Sequence, residues 1–539
     1  MAPLTSLYPK AFQNRVSKND AMVRKARFGF LKAAGNNFII LQLLFLGLFC
    51  YVFGSLFAQT SHTHNLNILF VDYDGGAIGH AVREAYTALK GKSFPSLIER
   101  SPADHPSTAD VWQAVCRADY WAAIYVVPGA SDRLEEALSA GQQQTPSYNN
   151  RDVMAYVWNE ALYAPTIDAS ISSNIQLLSN AARIAYTTGR GTGNTTTAAI
   201  ISSSPSVLSV LAEPWQLQSL NIQPTPQGSR AIYNTIVIVL ILIQEFFYLG
   251  TINGLYAQFK LYTRLSPYRI AAVRNLNSLV YTLAGTLCVT GAIWAFKAGW
   301  DVDGGRFALC WVTFWLFAHA NFLTLDVFTI WLPAPYVPMA LVSWIICNVT
   351  SVLLPFELSP GFYQVGYLFP AHGVYQVLTD IWSGGCNPRL GYALPVLFAW
   401  EAVGLALSVL GVFRRCHFAT LGEEVQAREF KEKLDAAVAV EVSRLHALIK
   451  LEGKKKREEE DAEKEDRGEM RGRGEAASSA GRGDVNQEEE EELESLPKEL
   501  GDLVERINTR QARERQRNHV DCSFGPSFDL AFHGNNGAE

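Results

Sequence analysis

The sequence predicts an α-helical membrane bundle of six transmembrane helices, with an α/β domain inserted between the first two helices and a charged, disordered or helical tail. Three observations carry this reading. Six stretches are long and apolar enough to cross a hydrocarbon core of about 30 Å, which takes around 20 helical residues. Charge is partitioned: of 98 charged residues, 52 lie from Arg414 onward, so the first 413 residues carry 46. That is about 11%, against roughly 25% in a soluble protein. Between the first two apolar stretches the periodicity changes to that of strands alternating with amphipathic helices. The near-zero mean hydropathy and the net charge of −6 are therefore averages over unlike parts, and nothing in the balance suggests a nucleic-acid partner.

The first span is 38–58, preceded by a leader at 1–37. A cleaved signal peptide would have a shorter apolar region and a small-x-small site, whereas here Leu56 stands three before the end of a longer stretch, so the segment reads as a signal anchor. The other spans are 232–252, 276–296, 307–332, 337–358 and 391–413. Lys10, Arg15, Lys18, Arg24, Lys25, Arg27 and Lys32 against Asp20 put the leader in the cytoplasm by the positive-inside rule. The 253–275 loop, with Lys260, Arg264, Arg269 and Arg274, and the exit into Arg414 and Arg415 agree, while the acidic loop at Asp301 and Asp303 falls outside. Both termini are then cytoplasmic, 59–231 is exoplasmic and 414–539 is a cytoplasmic tail.

Within 59–231, the strand LNILFVDYD is followed by Gly75, Gly76 and a helix near 78–89. Further strands are expected at 96–99, 121–127 and 153–158, and helices near 107–117, 131–140 and 167–186, which implies a layered α/β domain with a mainly parallel sheet. Asn194 begins a glycosylation sequon in a Gly/Thr-rich loop; a second sequon, at Asn348, falls inside a span and should stay bare. Cys116 and Cys386 are the two cysteines expected outside, although spacing alone does not show that they meet. In the tail, Leu434, Val438, Val442, Leu445 and Ile449 recur at helical spacing, too few heptads to define a coiled coil. The blocks at 454–457, 458–460 and 488–492 have the composition of a solvated segment.

Motifs for chemistry are missing. Gly91-Lys92-Ser93 ends like a P-loop, but Tyr86 stands where the first glycine is needed. No GxSxG, HExxH, CxxC or zinc spacing occurs, so no catalytic residue, cofactor or metal is assigned and the chain is not expected to be an enzyme. What remains is polarity inside the spans, where an ionisable group costs several kcal/mol. Glu245 lies in the second span, His319 and Asp326 in the fourth and Glu401 in the sixth. His319 and Asp326 are two helical turns apart and share one stripe. They form a candidate polar path or proton-titrating site, or else each bonds a neighbouring helix and fixes packing. Residues 359–390 are aromatic, moderately apolar and broken by Pro370 and Gly373, which suits a re-entrant or interfacial hairpin as well as a folded loop.

The segments AIYNTIVIVLILIQEFF, EPWQLQSLNIQP and ELSPGFYQVGYLFPAHGVYQVLTDIWSGG, followed by GYALPVLFAWEAVG, resemble the fungal nitrosoguanidine-resistance membrane proteins. Over about 35–415 the span order is similar to that of the exporter-type (type-two ABC) permease superfamily. The resemblance implies a role in toxicant resistance, by export of amphipathic compounds or through plasma-membrane lipids, and no ATPase domain on this chain. The expected partners are membrane lipids, a separate ATPase or regulatory subunit gripping the 253–275 loop, and a second copy, in a plasma membrane or endomembrane. The competing expectation is a scaffold or regulator that recruits partners through the α/β domain and the tail.

Overall fold

The computed structural model describes residues 21–139, 148–191, 205–225, 235–297 and 302–468. Asn194, much of the basic leader and the acidic run at 488–492 lie outside them. Six helices are long and apolar enough to cross a membrane. They are contained in α1 (Ala21–Ser55), α7 (Val237–Gln258), α8 (Pro267–Ala295), α9 (Gly304–Trp331), the segment Ala334–Leu353 and α12 (Leu390–Gly468).

The inserted region builds a five-stranded sheet from β1 (Asn67–Asp72), β2 (Ser96–Arg100), β3 (Ala122–Val126), β4 (Met154–Trp158) and β5 (Gln218–Asn221). The strand order is β2-β1-β3-β4-β5. Around it are α2 (Ala77–Leu89), α3 (Thr108–Cys116), α4 (Ala130–Ser139), α5 (Ser173–Gly191) and α6 (Pro205–Ala212). β1 is parallel to β2 and β3, and β4 to β5, but β3 and β4 are antiparallel, so the sheet is mixed. β5 escapes the sequence because QSLN has almost no apolar alternation; it pairs by backbone at an edge, with exposed or half-exposed side chains. One sheet face, carrying Leu69, Val71, Ala123, Tyr125, Ala155 and Val157, is closed by Val111, Ala114 and Val115 of α3. α3 starts at a capping box in which Ser107 and Asp110 each satisfy the other's backbone N–H.

Two contact-defined units divide the chain, the first comprising residues 1–249 and 271–411 and the second 250–270 and 412–539. In the first unit the α/β region is tied to the segment between the fifth and sixth spans. That segment is largely helical. It makes a 3₁₀ turn at Gly361–Leu368 and then α11 (Pro370–Trp382), which packs on α9 and on α10 (Val337–Leu353). The Tyr375 hydroxyl of α11 accepts the Tyr163 N–H at 2.6 Å and donates to the Ala161 carbonyl at 3.3 Å. The two tyrosine rings are 4.9 Å apart, and Asn159 donates to the Cys386 carbonyl at 3.4 Å. Cys116 and Cys386 form a disulfide beside this seam. The end of α1 is held similarly: Tyr363 donates to the Tyr51 carbonyl and Ser359 to the Ser55 carbonyl, satisfying groups that a helix terminus leaves open.

Several boundaries differ from the sequence reading, each for a physical reason. α10 ends at Leu353, because Pro355 cannot continue the helix and residues 356–358 turn back as 3₁₀. α8 begins at Pro267, nine residues before the expected third span, since proline is favoured in a first helical turn. α12 does not stop at Phe413 but runs as one helix to Gly468, through the Leu434 to Ile449 stripe, because the segment is rich in Ala, Glu, Lys and Leu. Asn348 is buried within α10; it donates to the Trp344 carbonyl and accepts the Ala371 N–H at the start of α11, which leaves no room for a glycan.

Removing the cross-link in a Cys116→Ser, Cys386→Ser double variant should cost about 2–4 kcal/mol of unfolding stability. Thermal unfolding of the detergent-solubilised protein should shift down accordingly, and the reduced parent protein should shift equally.

Candidate functional site

α8, α9 and α12 approach closely because α12 presents Gly404 and Gly411 to α9. A Cβ at Gly404 would come within 2.8 Å of the Leu323 Cβ, and one at Gly411 would collide with Ile330. On the same side of α12, Glu401 and Ser408 precede these glycines by three residues, and both bond to side chains of α9. The result is a polar ladder of two rungs across three helices.

The lower rung is a buried ion pair. Arg274 Nη2 lies 2.6 Å from Asp326 Oδ1, and Arg274 Nε donates to Oδ2 at 3.2 Å. Ser408 donates to Asp326 Oδ2 at 2.8 Å. The two charged side chains are 1% and 0% exposed. Arg274, placed by sequence in a basic loop, belongs instead to the second turn of α8 and to this pair. A basic residue thus meets one of the carboxylates inside the bundle. The signal that would have found it is Ser266-Pro267, a helix start that carries Arg274 into the third span.

The upper rung lies two turns away along α9. His319 Nδ1 is 2.5 Å from Glu401 Oε1, and its Nε2 is 3.0 Å from Ser278 Oγ. The Ser278 hydroxyl also lies 2.8 Å from the Asn275 carbonyl. Unlike the lower rung, this one reaches the bundle surface: the Glu401 side chain is 22% exposed. Its Oε2 has no hydrogen-bond partner among the described residues.

Ser278 also begins a hydroxyl stripe. Ser278, Thr282, Thr286 and Thr290 recur every four residues on the buried face of α8, and each threonine donates to the carbonyl four residues earlier. The threonine donors are thus satisfied along the helix, with their acceptor lone pairs still presented inward.

The remaining candidates are distributed elsewhere. Glu245 is on α7 with 0% exposure, and neither carboxyl oxygen has a hydrogen-bond partner among the described residues. It is not part of the ladder's hydrogen bonds. Beside it, Tyr248 stacks on Tyr281 of α8 at 3.6 Å. In the second unit, Lys260 lies 3.3 Å from Glu423 and Thr263 donates to the same carboxylate, while Arg415 donates to Asn253 and Tyr262. Lys260 is therefore held by α12, and Arg264 and Arg269 remain exposed. The expected loop contracts to a few residues around the short turn Leu261–Arg264.

In the α/β region, the polar groups at the ends of β1 and β3 bond one another. Asp72 accepts the Gly75 N–H and pairs with Arg83, Asp74 accepts the Ser131 N–H, and Ser131 Oγ accepts the Ile78 N–H. They act as reciprocal caps for α2 and α4. Among the described residues, no group of three or more His, Cys, Asp or Glu is arranged to hold a metal.

The lower rung generates a sharp expectation. Asp326→Asn keeps the shape but strands the Arg274 guanidinium, which costs about 3–5 kcal/mol, whereas removing both charges relieves most of that loss. Membrane abundance and melting temperature should fall in Asp326→Asn and in Arg274→Met. Both should recover in the Arg274→Met, Asp326→Leu double variant. Equal losses in singles and double would mean that the pair is not energetically coupled.

Residues 37–406, well over half of the chain, match the model of the family described as Protein of unknown function (DUF3533). The six apolar helices and this match together make the chain a multi-pass membrane protein that belongs to that family.

Proposed function

We propose that the protein is a permease-type membrane component that moves, or helps to move, amphipathic compounds or lipids and thereby contributes to toxicant resistance. The observation that carries this reading is the upper rung, a closely paired His319 and Glu401 buried on the His319 side and open to the bundle surface on the Glu401 side. An intramembrane pair of this kind costs more than an apolar contact of the same size, so its presence favours a titrating role. The resemblance to the fungal nitrosoguanidine-resistance proteins and to exporter-type permeases supports the same direction. The orientation we adopt has both termini in the cytoplasm, the α/β region outside and a glycan on Asn194. The Cys116–Cys386 disulfide is consistent with an oxidising compartment for that region.

The resistance reading is tested with Glu401→Gln and His319→Gln, which keep polarity and similar size but remove the ionisable group. Both should reach the membrane at parental abundance, yet fail to protect cells grown with a nitrosoguanidine, and intracellular toxicant should rise. Full protection by both variants would end the case for a titrating site.

A second reading, a scaffold that recruits partners, is favoured by the closed Arg274–Asp326 rung and by α12 continuing to Gly468. An ATPase or regulatory subunit separates the two. Arg264 and Arg269 are exposed next to Tyr268, so they are the groups such a subunit would touch, whereas Lys260 is engaged with Glu423. Reversing charge in Arg264→Glu, Arg269→Glu should abolish co-purification of an ATPase without affecting insertion. Retained association with a subunit that is not an ATPase would favour the scaffold.

A further inference from the structure

α7 and α8 meet through two contacts one helical turn apart. At one, Tyr248 stacks on Tyr281 with ring centroids 3.6 Å apart and 6° between the ring planes. At the other, Gly285 leaves the space that the Gln244 side chain fills, and a Cβ there would collide with it. Tyr281 also donates its hydroxyl to the Gln244 carbonyl at 3.4 Å. Since 244 meets 285 and 248 meets 281, the two helices are antiparallel here, and Glu245 falls between the two contacts. It belongs to the inward face of α7: Ile241 and Leu242, one turn before it, and Leu249, one turn after it, are buried with it.

In this apolar stripe the Glu245 side chain is 0% exposed, and neither of its oxygens has a hydrogen-bond partner among the described residues. The phenols of Tyr248, on its own helix, and Tyr281, on α8, lie within electrostatic reach of it, and neither brings a positive charge. Arg274 of α8 is committed to Asp326, and His319 of α9 bonds Ser278 and Glu401. An ionised carboxylate with neither a donor nor a cation is heavily penalised in such surroundings. Whatever neutralises it must also need no cavity, because the carboxyl is closed off from the outside. A proton meets both conditions.

We propose that Glu245 is a water-excluded proton-binding site on the α7–α8 seam, held as the neutral acid and open to covalent modification by lipophilic carbodiimides. Such reagents partition into hydrocarbon and require an acid proton. The carboxyl O–H adds across one C=N bond of the carbodiimide to give an O-acylisourea, and the acyl group then moves from oxygen to nitrogen to give an N-acylurea. Nothing leaves, so the product carries the whole mass of the reagent. The other carboxyls of the bundle differ: Asp326 is ion-paired with Arg274, and the Glu401 side chain is 22% exposed. The site is separate from the His319–Glu401 rung and does not rest on the permease reading.

The test uses the full-length protein in an ester-free detergent, treated with dicyclohexylcarbodiimide or with a charged, water-soluble carbodiimide, and maps the added mass on its peptides. Dicyclohexylcarbodiimide should label the peptide that contains Glu245. The water-soluble reagent should leave that peptide bare while labelling exposed acids of α12 such as Glu429. This labelling is read on the unaltered protein and so does not depend on how a variant folds. Infrared spectra at neutral pH should show the carbonyl band of an un-ionised carboxyl, and Glu245→Gln, which puts a neutral amide of the same size in its place, should lose it. In Glu401→Gln the Glu245 label should be unchanged. An acid-carbonyl region identical in the parent and Glu245→Gln would overturn the proton site, and a bare Glu245 after dicyclohexylcarbodiimide would overturn its modification. Equal labelling by the two reagents would overturn the exclusion of water. Loss of the Glu245 label in Glu401→Gln would overturn the separation from the His319–Glu401 rung.

Discussion

Burying a guanidinium and a carboxylate together in an apolar bundle is the constraint on which the arrangement of α8, α9 and α12 depends. Neither Arg274 nor Asp326 can be exposed to lipid or left alone without a penalty of several kcal/mol. The helices must therefore meet where the two side chains meet, and Ser408 arrives from α12 to donate to Asp326 Oδ2. Close approach is then a requirement rather than an accident of packing, and Gly404 and Gly411 provide it where any larger side chain would hold α12 off α9. Once that register is set, the His319–Glu401 contact two turns away follows from helix geometry, since Glu401 and Ser408 are themselves seven residues apart.

The two rungs differ in what they leave open. Asp326 is closed on all sides by a base, a hydroxyl and the packed helices, which suits a lock that holds three helices in one arrangement. Glu401 keeps one buried oxygen without a hydrogen-bond partner among the described residues, while part of its side chain is accessible. A polar stripe that looks uniform along α9 in the sequence is therefore two sites of different chemistry.

The seam between the α/β region and α11 has a comparable logic. Tyr163 and Tyr375 are bulky, and both hydroxyl and backbone polar groups are consumed across the contact, so the region is positioned by directional bonds as well as by apolar area. The disulfide reinforces a seam that is already specified. α11 also packs on α9 and α10, so it contacts both the α/β region and the helix that carries His319 and Asp326.

By itself, the sequence determined what depends on local chemistry. Apolar length identifies spans at 38–58 or 307–332 whatever surrounds them, and strand periodicity identifies LNILFVDYD, because hydrophobic patterning is a property of neighbouring residues. The presence of Glu245, His319, Asp326 and Glu401 in apolar surroundings was legible for the same reason. Only the tertiary structure decided which of them are paired, since Arg274, Ser278 and Ser408 come from helices far apart in the chain and look unremarkable where they stand. It also decided the β3–β4 reversal, the pairing of QSLN as an edge strand and the meeting of Cys116 with Cys386 across 270 residues. Those outcomes are set by contacts whose energy appears only when distant segments meet, and no local pattern encodes the partner.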